Sequence, residues 1–273
     1  MQKSFSTPGP ASLFVELGSG DLIVHTDHTS ETVVEVTGKN ADDVVIEQRG
    51  DDIMVIAKQR GGGFFGSGQQ LTIHVTAPHD SGLSTKLGSA DVRVIGRLGE
   101  TLLKSGSGDV TIDEIGADAI IETGSGDVAV DVSEGPLQVK TGSGDVTVER
   151  TGGPATISTG SGDVIVTTCD QPIQVRSGSG DIQVREAHRD ASLATASGDV
   201  AVGVVHRGEV TTKNVSGDIR VGVPGGVPVW TDVSTVTGSV RSSLEGAGEP
   251  TEGQEFIELR AKTVSGDIIL EQL

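Results

Sequence analysis

Aspartates recur at a fixed interval in this sequence, and a row of carboxylates could bind metal ions. Six of them occupy every eighteenth position: Asp109, Asp127, Asp145, Asp163, Asp181 and Asp199. Asp91 precedes the first of them by the same interval. Ca²⁺ prefers oxygen ligands from carboxylates and backbone carbonyls. These six aspartates are therefore candidate ligands for a row of divalent cations, with calcium as the cofactor.

A structural role for the same aspartates competes with metal binding. Gly-Ser-Gly directly precedes five of the aspartates in the series, at 106–108, 124–126, 142–144, 160–162 and 178–180. In such a turn the carboxylate can accept backbone N–H hydrogen bonds, each worth about 1 kcal/mol. That gain offsets a repulsion of about 1 kcal/mol between carboxylates stacked about 4.8 Å apart in water. Because one carboxylate per repeat is a small ligand set for calcium, we favour turn capping and keep calcium as the alternative.

The residues around each aspartate alternate as they do in β-strands. In the unit that contains Asp163, Val164 and Val166 follow the turn, and Ile157 and Thr159 precede it. A period of two indicates a strand with one face directed inward. Each repeat unit therefore contains two short strands, joined by one tight turn and one looser turn.

Two strands this short cannot bury an apolar face alone, but stacked repeats can. We therefore predict an all-β fold, a single-chain parallel β-solenoid (β-helix) of 18-residue rungs, about 10 in number. Aromatic residues make up only 2% of the chain, which suits a narrow core between two facing sheets. The general preference of parallel crossovers predicts a right-handed coil. A repeats-in-toxin calcium roll is disfavoured, because it needs two glycine–aspartate turns in the same length.

The regular period covers only part of the chain. Residues 11–24 follow it, and it then fails until Asp91. We predict an N-terminal rung and a divergent β cap over 1–82, whose antiparallel strands cover the first rung. The regular solenoid then takes 83–273, with a loop insertion near 244–255, so that the chain is one continuous elongated domain. Because the sequence stops just after the last repeat, its final strand is expected to leave an edge free for another chain.

A glycine-rich segment at 61–68 carries Phe64 and Phe65, two of only five phenylalanines in the chain. One interpretation is a hairpin loop whose rings fold back onto the cap. The other is a contact site for a partner or a membrane. Glycines on both sides give the rings little to pack against, so Phe64 and Phe65 are candidate partner-contact residues.

Charge and composition exclude several classes of function. The formal net charge is −19 and the isoelectric point is about 4.5, which disfavours nucleic acid and anionic membranes as partners. The single cysteine, Cys169, falls in a predicted turn and indicates no reliance on disulfides. No apolar run has the length of a signal peptide or a transmembrane segment. The sequence therefore predicts a soluble, cytoplasmic protein.

Residues for catalysis do not stand out. The serines lie in turns at the repeat period, and no nucleophile and base are recognisable together. The spacing of the histidines matches no strong zinc pattern, so they are interpreted as surface residues: His25, His28, His74, His79, His188 and His206. We therefore predict that the protein is not an enzyme.

The repeated Gly-Ser-Gly-Asp-Val-x-Val units resemble the bacterial β-strand-repeat family known as "putative adhesin", a domain of unknown function. The resemblance extends over essentially the whole chain and implies a parallel β-helix. It implies no catalytic residues.

The leading hypothesis is a non-enzymatic structural or binding scaffold, which presents an acidic, rigid surface and self-associates through its ends or binds a protein partner. The alternative is a calcium-stabilised adhesion or binding module that uses the column of aspartates. A weaker alternative is a β-helix enzyme that acts on polysaccharides.

Overall fold

The computed structural model describes residues 1–57, 71–246, 248 and 254–273. Apart from a 3₁₀ turn at Ala41–Asp43, every regular element in these residues is a β-strand. The chain divides into two compact units, Met1–Pro136 and Leu137–Leu273. None of the described residues belongs to a helix long and apolar enough to span a membrane.

The first unit contains eleven of the described strands. They are β1 (Gln2–Ser6), β2 (Ser12–Asp27), β3 (Glu31–Gly38), β4 (Val45–Arg49), β5 (Asp52–Ile56), β6 (Leu71–Pro78), β7 (Gly82–Leu98), β8 (Thr101–Ser105), β9 (Val110–Ile115), β10 (Ala119–Thr123) and β11 (Val128–Ser133).

The second unit begins with β12 and contains the remaining described strands. They are β12 (Leu137–Thr141), β13 (Val146–Thr151), β14 (Ala155–Ser161), β15 (Val164–Cys169), β16 (Ile173–Ser179), β17 (Ile182–Ala187), β18 (Ala191–Ser197), β19 (Val200–Val205), β20 (Gly208–Lys213), β21 (Ile219–Val223), β22 (Val229–Thr237), β23 (Val240–Ser242), β24 (Ile257–Ser265) and β25 (Ile268–Gln272).

Within each unit, a regular repeat forms a rung of two strands, and each strand pairs in parallel with its copy in the next rung. Ala155 of β14 lies opposite Ile173 of β16, and Val164 of β15 lies opposite Ile182 of β17. In both pairs the partners are separated by one repeat period, so the sequence period is the length of one rung. The all-β parallel solenoid is thereby confirmed, whereas its handedness stays a prediction.

The core consists of the inward members of the alternating pattern. Ile157, Val164 and Val166 have no exposed surface, while Ser158 and Ile165, which alternate with them, are half-buried. Several threonines at the corners donate hydrogen bonds to backbone carbonyls. The hydroxyl of Thr195, for example, donates to the carbonyl of Gly180 over 3.1 Å. A narrow aliphatic interior is thereby closed by buried, hydrogen-bonded hydroxyls.

The predicted N-terminal rung and cap occur in the first unit. Strand β2 runs parallel to β7, with Asp21 opposite Asp91, so the first repeat lies directly beside the regular ones. The other edge of β2 pairs in parallel with β5 and β6. Strands β3 and β4 then pair antiparallel with β6 and β5, and β1 pairs antiparallel with β3. The predicted antiparallel pairing in the cap is confirmed.

The expectation of a free final strand is wrong. Strand β24 lies between β20 and β22, and β25 lies between β21 and β23. The last repeat in the sequence, β24 and β25, is therefore inserted inside the stack. The rung of β22 and β23, which comes earlier in the sequence, is the outer rung. In this position Ile257, Leu259 and Ile268 of the inserted rung are buried completely. The residues opposite Ile257 and Leu259 in the outer rung are Val229, which is half-buried, and Thr231, which is exposed.

The cysteine also lies elsewhere than predicted. Cys169 is the last residue of β15 and is buried in the core, rather than in an open turn. Burial raises the pKa of its thiol to about 12, against the opposing effect of a hydrogen bond with the backbone of His188.

Candidate functional site

The predicted aspartates of the second unit form a hydrogen-bonded column. The backbone N–H of Asp163 donates to Oδ1 of Asp145 over 2.8 Å. Asp181 donates in the same way to Asp163, and Asp199 to Asp181, each over 2.8 Å. The column continues through Asp218 and Asp267 with the same distance.

The first unit repeats the arrangement. The backbone N–H of Asp109 donates to Oδ1 of Asp91, and that of Asp127 to Oδ1 of Asp109, both over 3.0 Å. The bond runs between rungs, whereas an Asx turn would close it within one turn. One carboxylate oxygen of each accepting aspartate therefore accepts a hydrogen bond from a backbone N–H of the next rung, at the corner between two strands.

The glycines make this corner possible. Gly180, directly before Asp181, has φ +149°, a conformation that L side chains rarely adopt. A Cβ at Gly180 would overlap the carbonyl oxygen of Gly162 in the preceding rung. The Gly-Ser-Gly pattern thus lets successive corners approach closely enough for the inter-rung hydrogen bond.

Within each unit the aspartates predicted as metal ligands form a column and do not surround a point: Asp109 and Asp127 in the first unit, and Asp145, Asp163, Asp181 and Asp199 in the second. Among the described residues, no three of them form a group whose ligand atoms could share one ion. Calcium binding by the column stays a prediction, which thermal unfolding with calcium and with a chelator would test. Phe64 and Phe65, the predicted partner contacts, lie outside the described residues.

The outer rung of β22 and β23 presents an edge that was not predicted. In the described part of the chain, β22 pairs only with β24 and β23 only with β25. Trp230 is 53% exposed and Val236 76% exposed. The guanidinium of Arg260 lies 5.8 Å from the centre of the Trp230 ring, which is within the range of a cation–π contact.

A family model matches residues 11–271. The chain belongs to the Toastrack DUF4097 family. The family expected from the Gly-Ser-Gly-Asp corners, a "putative adhesin" domain of unknown function, is thereby confirmed. No curated protein matches this Toastrack chain.

Three solved structures resemble the Toastrack chain at low identity. A "putative adhesin" from Bacteroides fragilis NCTC 9343 is 14% identical, with 99% of this chain and 97% of the other covered and a TM-score of 0.41. A "putative lipid binding protein" from Parabacteroides distasonis ATCC 8503 is 15% identical, with 99% and 96% covered and a TM-score of 0.49. A "putative adhesin" from Parabacteroides merdae ATCC 43184 is 12% identical, with 99% and 95% covered and a TM-score of 0.39. At these values the likenesses add no argument about function.

A cluster of metal-ligating side chains was missed by reading spacings along the chain. Glu186, His188 and His206 place ligand atoms within 4.8 Å of one another in the second unit of the Toastrack chain. The signal was present, because Asp170, His188 and His206 follow one another at the repeat period. Residues separated by one period become neighbours once the solenoid forms.

Proposed function

We propose that the chain is a non-enzymatic binding scaffold and that it associates with a second copy of itself through the edge of β22 and β23. The observation that carries this proposal is the open edge of the outer rung, which has no strand partner in the described residues. An unpaired strand edge offers a row of N–H and C=O groups to an incoming strand.

The composition of β22 supports pairing with another strand. Its nine residues include one charged side chain, Asp232, which forms a 3.0 Å ion pair with Lys262. The net charge of the whole chain is −19, so this strand carries little of it. Open edges in soluble proteins are commonly protected by lysine, proline or inward-pointing charges. β22 has no lysine or proline along its length.

The first unit favours a symmetric contact over head-to-tail stacking. Its capping rung of β5 and β6 has both edges paired, to β2 on one side and to the antiparallel β3 and β4 on the other. A copy stacking head to tail would therefore meet no open parallel rung there. Two copies that meet through the same β22 edge form an isologous, two-fold contact, which closes as a dimer.

Two surface grooves of the second unit offer places for a bound partner. One groove is lined by Arg207, Glu209 and Phe256, among others, and a second runs along Ala155 and Ile173. Carboxylates line both grooves: Glu255 and Glu258 the first, Asp190 the second, and Glu209 both. A cytoplasmic location stays a prediction.

Analytical ultracentrifugation tests the proposed association. The wild-type chain should form a dimer as its concentration rises. The double variant Val236→Lys/Val240→Lys places charges on exposed edge positions and should weaken dimerisation at least about tenfold.

The matched control is Leu102→Lys/Ile120→Lys. These two apolar residues are each 38% exposed on paired strands of the first unit, so the same substitutions there should leave dimerisation unchanged. A wild-type chain that sediments as a monomer at all concentrations would contradict the self-association. If both double variants weakened dimerisation equally, the added charge and not the β22 edge would control dimerisation.

A further inference from the structure

Three successive rungs of the second unit place side chains at one equivalent position. Asp170, His188 and His206 are the residues that directly follow β15, β17 and β19. Their backbones are held by inter-rung hydrogen bonds. The N–H of His188 donates to the carbonyl of Cys169 over 3.0 Å, and that of His206 to the carbonyl of Ala187 over 2.9 Å. The column is therefore positioned by the solenoid backbone and not by a mobile loop.

The two imidazoles stack because adjacent rungs are separated by about 4.8 Å. The ring centroids of His188 and His206 are 4.4 Å apart, and the ring planes differ by 5°. This stacking directs Nε2 of both rings towards the same carboxylate. Oε1 of Glu186 lies 2.8 Å from Nε2 of His206 and 3.7 Å from Nε2 of His188.

These distances suit a tetrahedral metal ion. With Zn–N bonds of about 2.0–2.1 Å, two ligands of a tetrahedral zinc ion are about 3.3 Å apart. The two separations lie on either side of that value. Because the ring planes are nearly parallel, each imidazole must rotate out of the stack before both Nε2 lone pairs point at one ion. Two imidazoles and one carboxylate are a ligand set that zinc uses in sites with an open fourth position.

The surroundings are polar and open to solvent. The side chains of His188, His206 and Glu186 are 36%, 38% and 42% exposed, so an ion can reach them from solution. Oδ1 of Asp170 lies 4.0 Å from Nε2 of His188, while its Oδ2 accepts hydrogen bonds from Arg150. Asp170 therefore adds negative charge beside the cluster.

Two further groups near the cluster are not ligands. Cys169 is buried, and its Sγ lies 3.5 Å from the backbone carbonyl of Glu186. Arg207 directs its Nε to the carbonyl of His188 over 3.4 Å. The ligand set is thus confined to Glu186, His188 and His206.

We propose that Glu186, His188 and His206 bind one divalent transition-metal ion, such as Zn²⁺, with solvent at the fourth position. Because the two histidines belong to successive rungs, the ion fastens these rungs to each other. The site is independent of the β22 edge and of the aspartate column.

Titration of the metal-free chain with Zn²⁺ alone, in competition with a chromophoric chelator, tests this site. The wild-type chain should bind one ion. His206→Gln and Glu186→Gln should each weaken binding by more than about 100-fold, because even outer partners of metal ligands contribute about 10–100-fold.

The matched control is His28→Gln/His79→Gln in the first unit. These histidines also touch, with ring centroids 4.5 Å apart, but among the described residues no third ligand atom joins them. The control should bind zinc as tightly as the wild type.

A second measurement does not depend on how the variants fold. Co²⁺ bound to the wild-type chain should give the visible absorption of a tetrahedral site, and Zn²⁺ should displace it. Zinc should also raise the melting temperature of the wild type and of the histidine control, but not that of His206→Gln. The absence of stoichiometric binding to the wild type would overturn the proposal, as would equal affinity of the wild type and His206→Gln.

Discussion

The backbone N–H of Asp163 donates a 2.8 Å hydrogen bond to Oδ1 of Asp145, the aspartate one rung earlier. The same bond recurs from Asp181 to Asp163 and from Asp199 to Asp181. Asp163, Asp181 and Asp199 therefore each act twice, as a donor through the backbone and as an acceptor through the side chain. The column extends the pairing between rungs into the corners, where the strands themselves end.

Removal of one acceptor in the column should destabilise the stack. Asp163→Ala leaves the N–H of Asp181 without its 2.8 Å acceptor and should lower the free energy of unfolding by about 1 kcal/mol. Asp163→Asn keeps an oxygen in place and removes one charge from the column, so its loss should be smaller. Urea unfolding monitored by circular dichroism measures both variants.

The control for this comparison is Asp131→Ala, at an exposed position of β11 away from the column. Its effect should be within about 0.5 kcal/mol of zero. If Asp163→Ala were as stable as Asp131→Ala, the hydrogen bond between rungs would contribute nothing to the free energy of unfolding.

A methyl group at the corner should cost more than the loss of a hydrogen bond. In Gly180→Ala the new Cβ overlaps the carbonyl of Gly162, and the backbone has φ +149°. We expect the free energy of unfolding to fall by more than about 1 kcal/mol. Gly9→Ala is the control, because a Cβ there has no heavy atom within 4 Å. Similar urea midpoints for the two variants would contradict the close approach of the corners.

The thiol of Cys169 should be unreactive in the folded protein. Burial raises its pKa to about 12, so almost no thiolate exists at pH 8. A chromogenic disulfide reagent should therefore label Cys169 only after denaturation in guanidinium. Rapid labelling of the native chain would show that the end of β15 opens readily.

The same thiol should make stability depend on pH above neutrality. In the unfolded chain it ionises near its ordinary value of 9.0, whereas in the folded chain it ionises at about 12. Because the folded pKa is the higher one, the contribution is complete below pH 9 and is lost as pH rises towards 12. Between pH 8 and 10 the wild type should lose about 1 kcal/mol relative to Cys169→Ala. If the stability difference between wild type and Cys169→Ala did not change between pH 8 and 10, the thiol would not be buried.

Acid should weaken the contact between the outer rung and its neighbour. The backbone N–H of Ser239 donates to Oδ1 of Asp267 over 2.8 Å and, with the Ser239 hydroxyl and Arg241, lowers the pKa of Asp267 below 3.8. Because the folded pKa is the lower one, this stabilisation is present above pH 3.8 and is lost as pH falls through the folded pKa.

Asp267→Asn separates this effect from the general response to acid. Its side chain does not titrate, so the stability difference between wild type and variant should be constant above about pH 5 and shrink below the ordinary pKa. Urea midpoints at pH 6 and pH 3 measure that difference, and carbon NMR of the Asp267 carboxyl measures the pKa directly. A carboxyl pKa at or above 3.8 would contradict the role of Ser239.

Much of the fold could be predicted because the repeat is local. The repeat period specifies which residues stack, and the alternation around Asp163 specifies which side chains face the core. The antiparallel cap also follows from the sequence, since the period fails there. The aspartate column was predicted as a set of neighbours, although the inter-rung direction of its hydrogen bonds was not.

The positions of the end rungs could not be predicted in the same way. Rung order at the ends depends on which of several distant segments buries more apolar surface. The inserted rung has Ile257 and Leu259 where the outer rung has Val229 and Thr231, so the inserted rung buries the larger apolar side chains. The spacing of residues along the chain does not show which rung buries more apolar surface.

The sequence by itself determined where the strands occur, how long a rung is and which side chains face the core, because each depends on residues close together in the chain. Only the tertiary structure decided the open edge and the cluster of Glu186 and His206, because these depend on contacts between rungs. A periodic sequence states which positions are equivalent. The folded chain decides which non-equivalent side chains, brought together across 20 residues, can hold one ion between them.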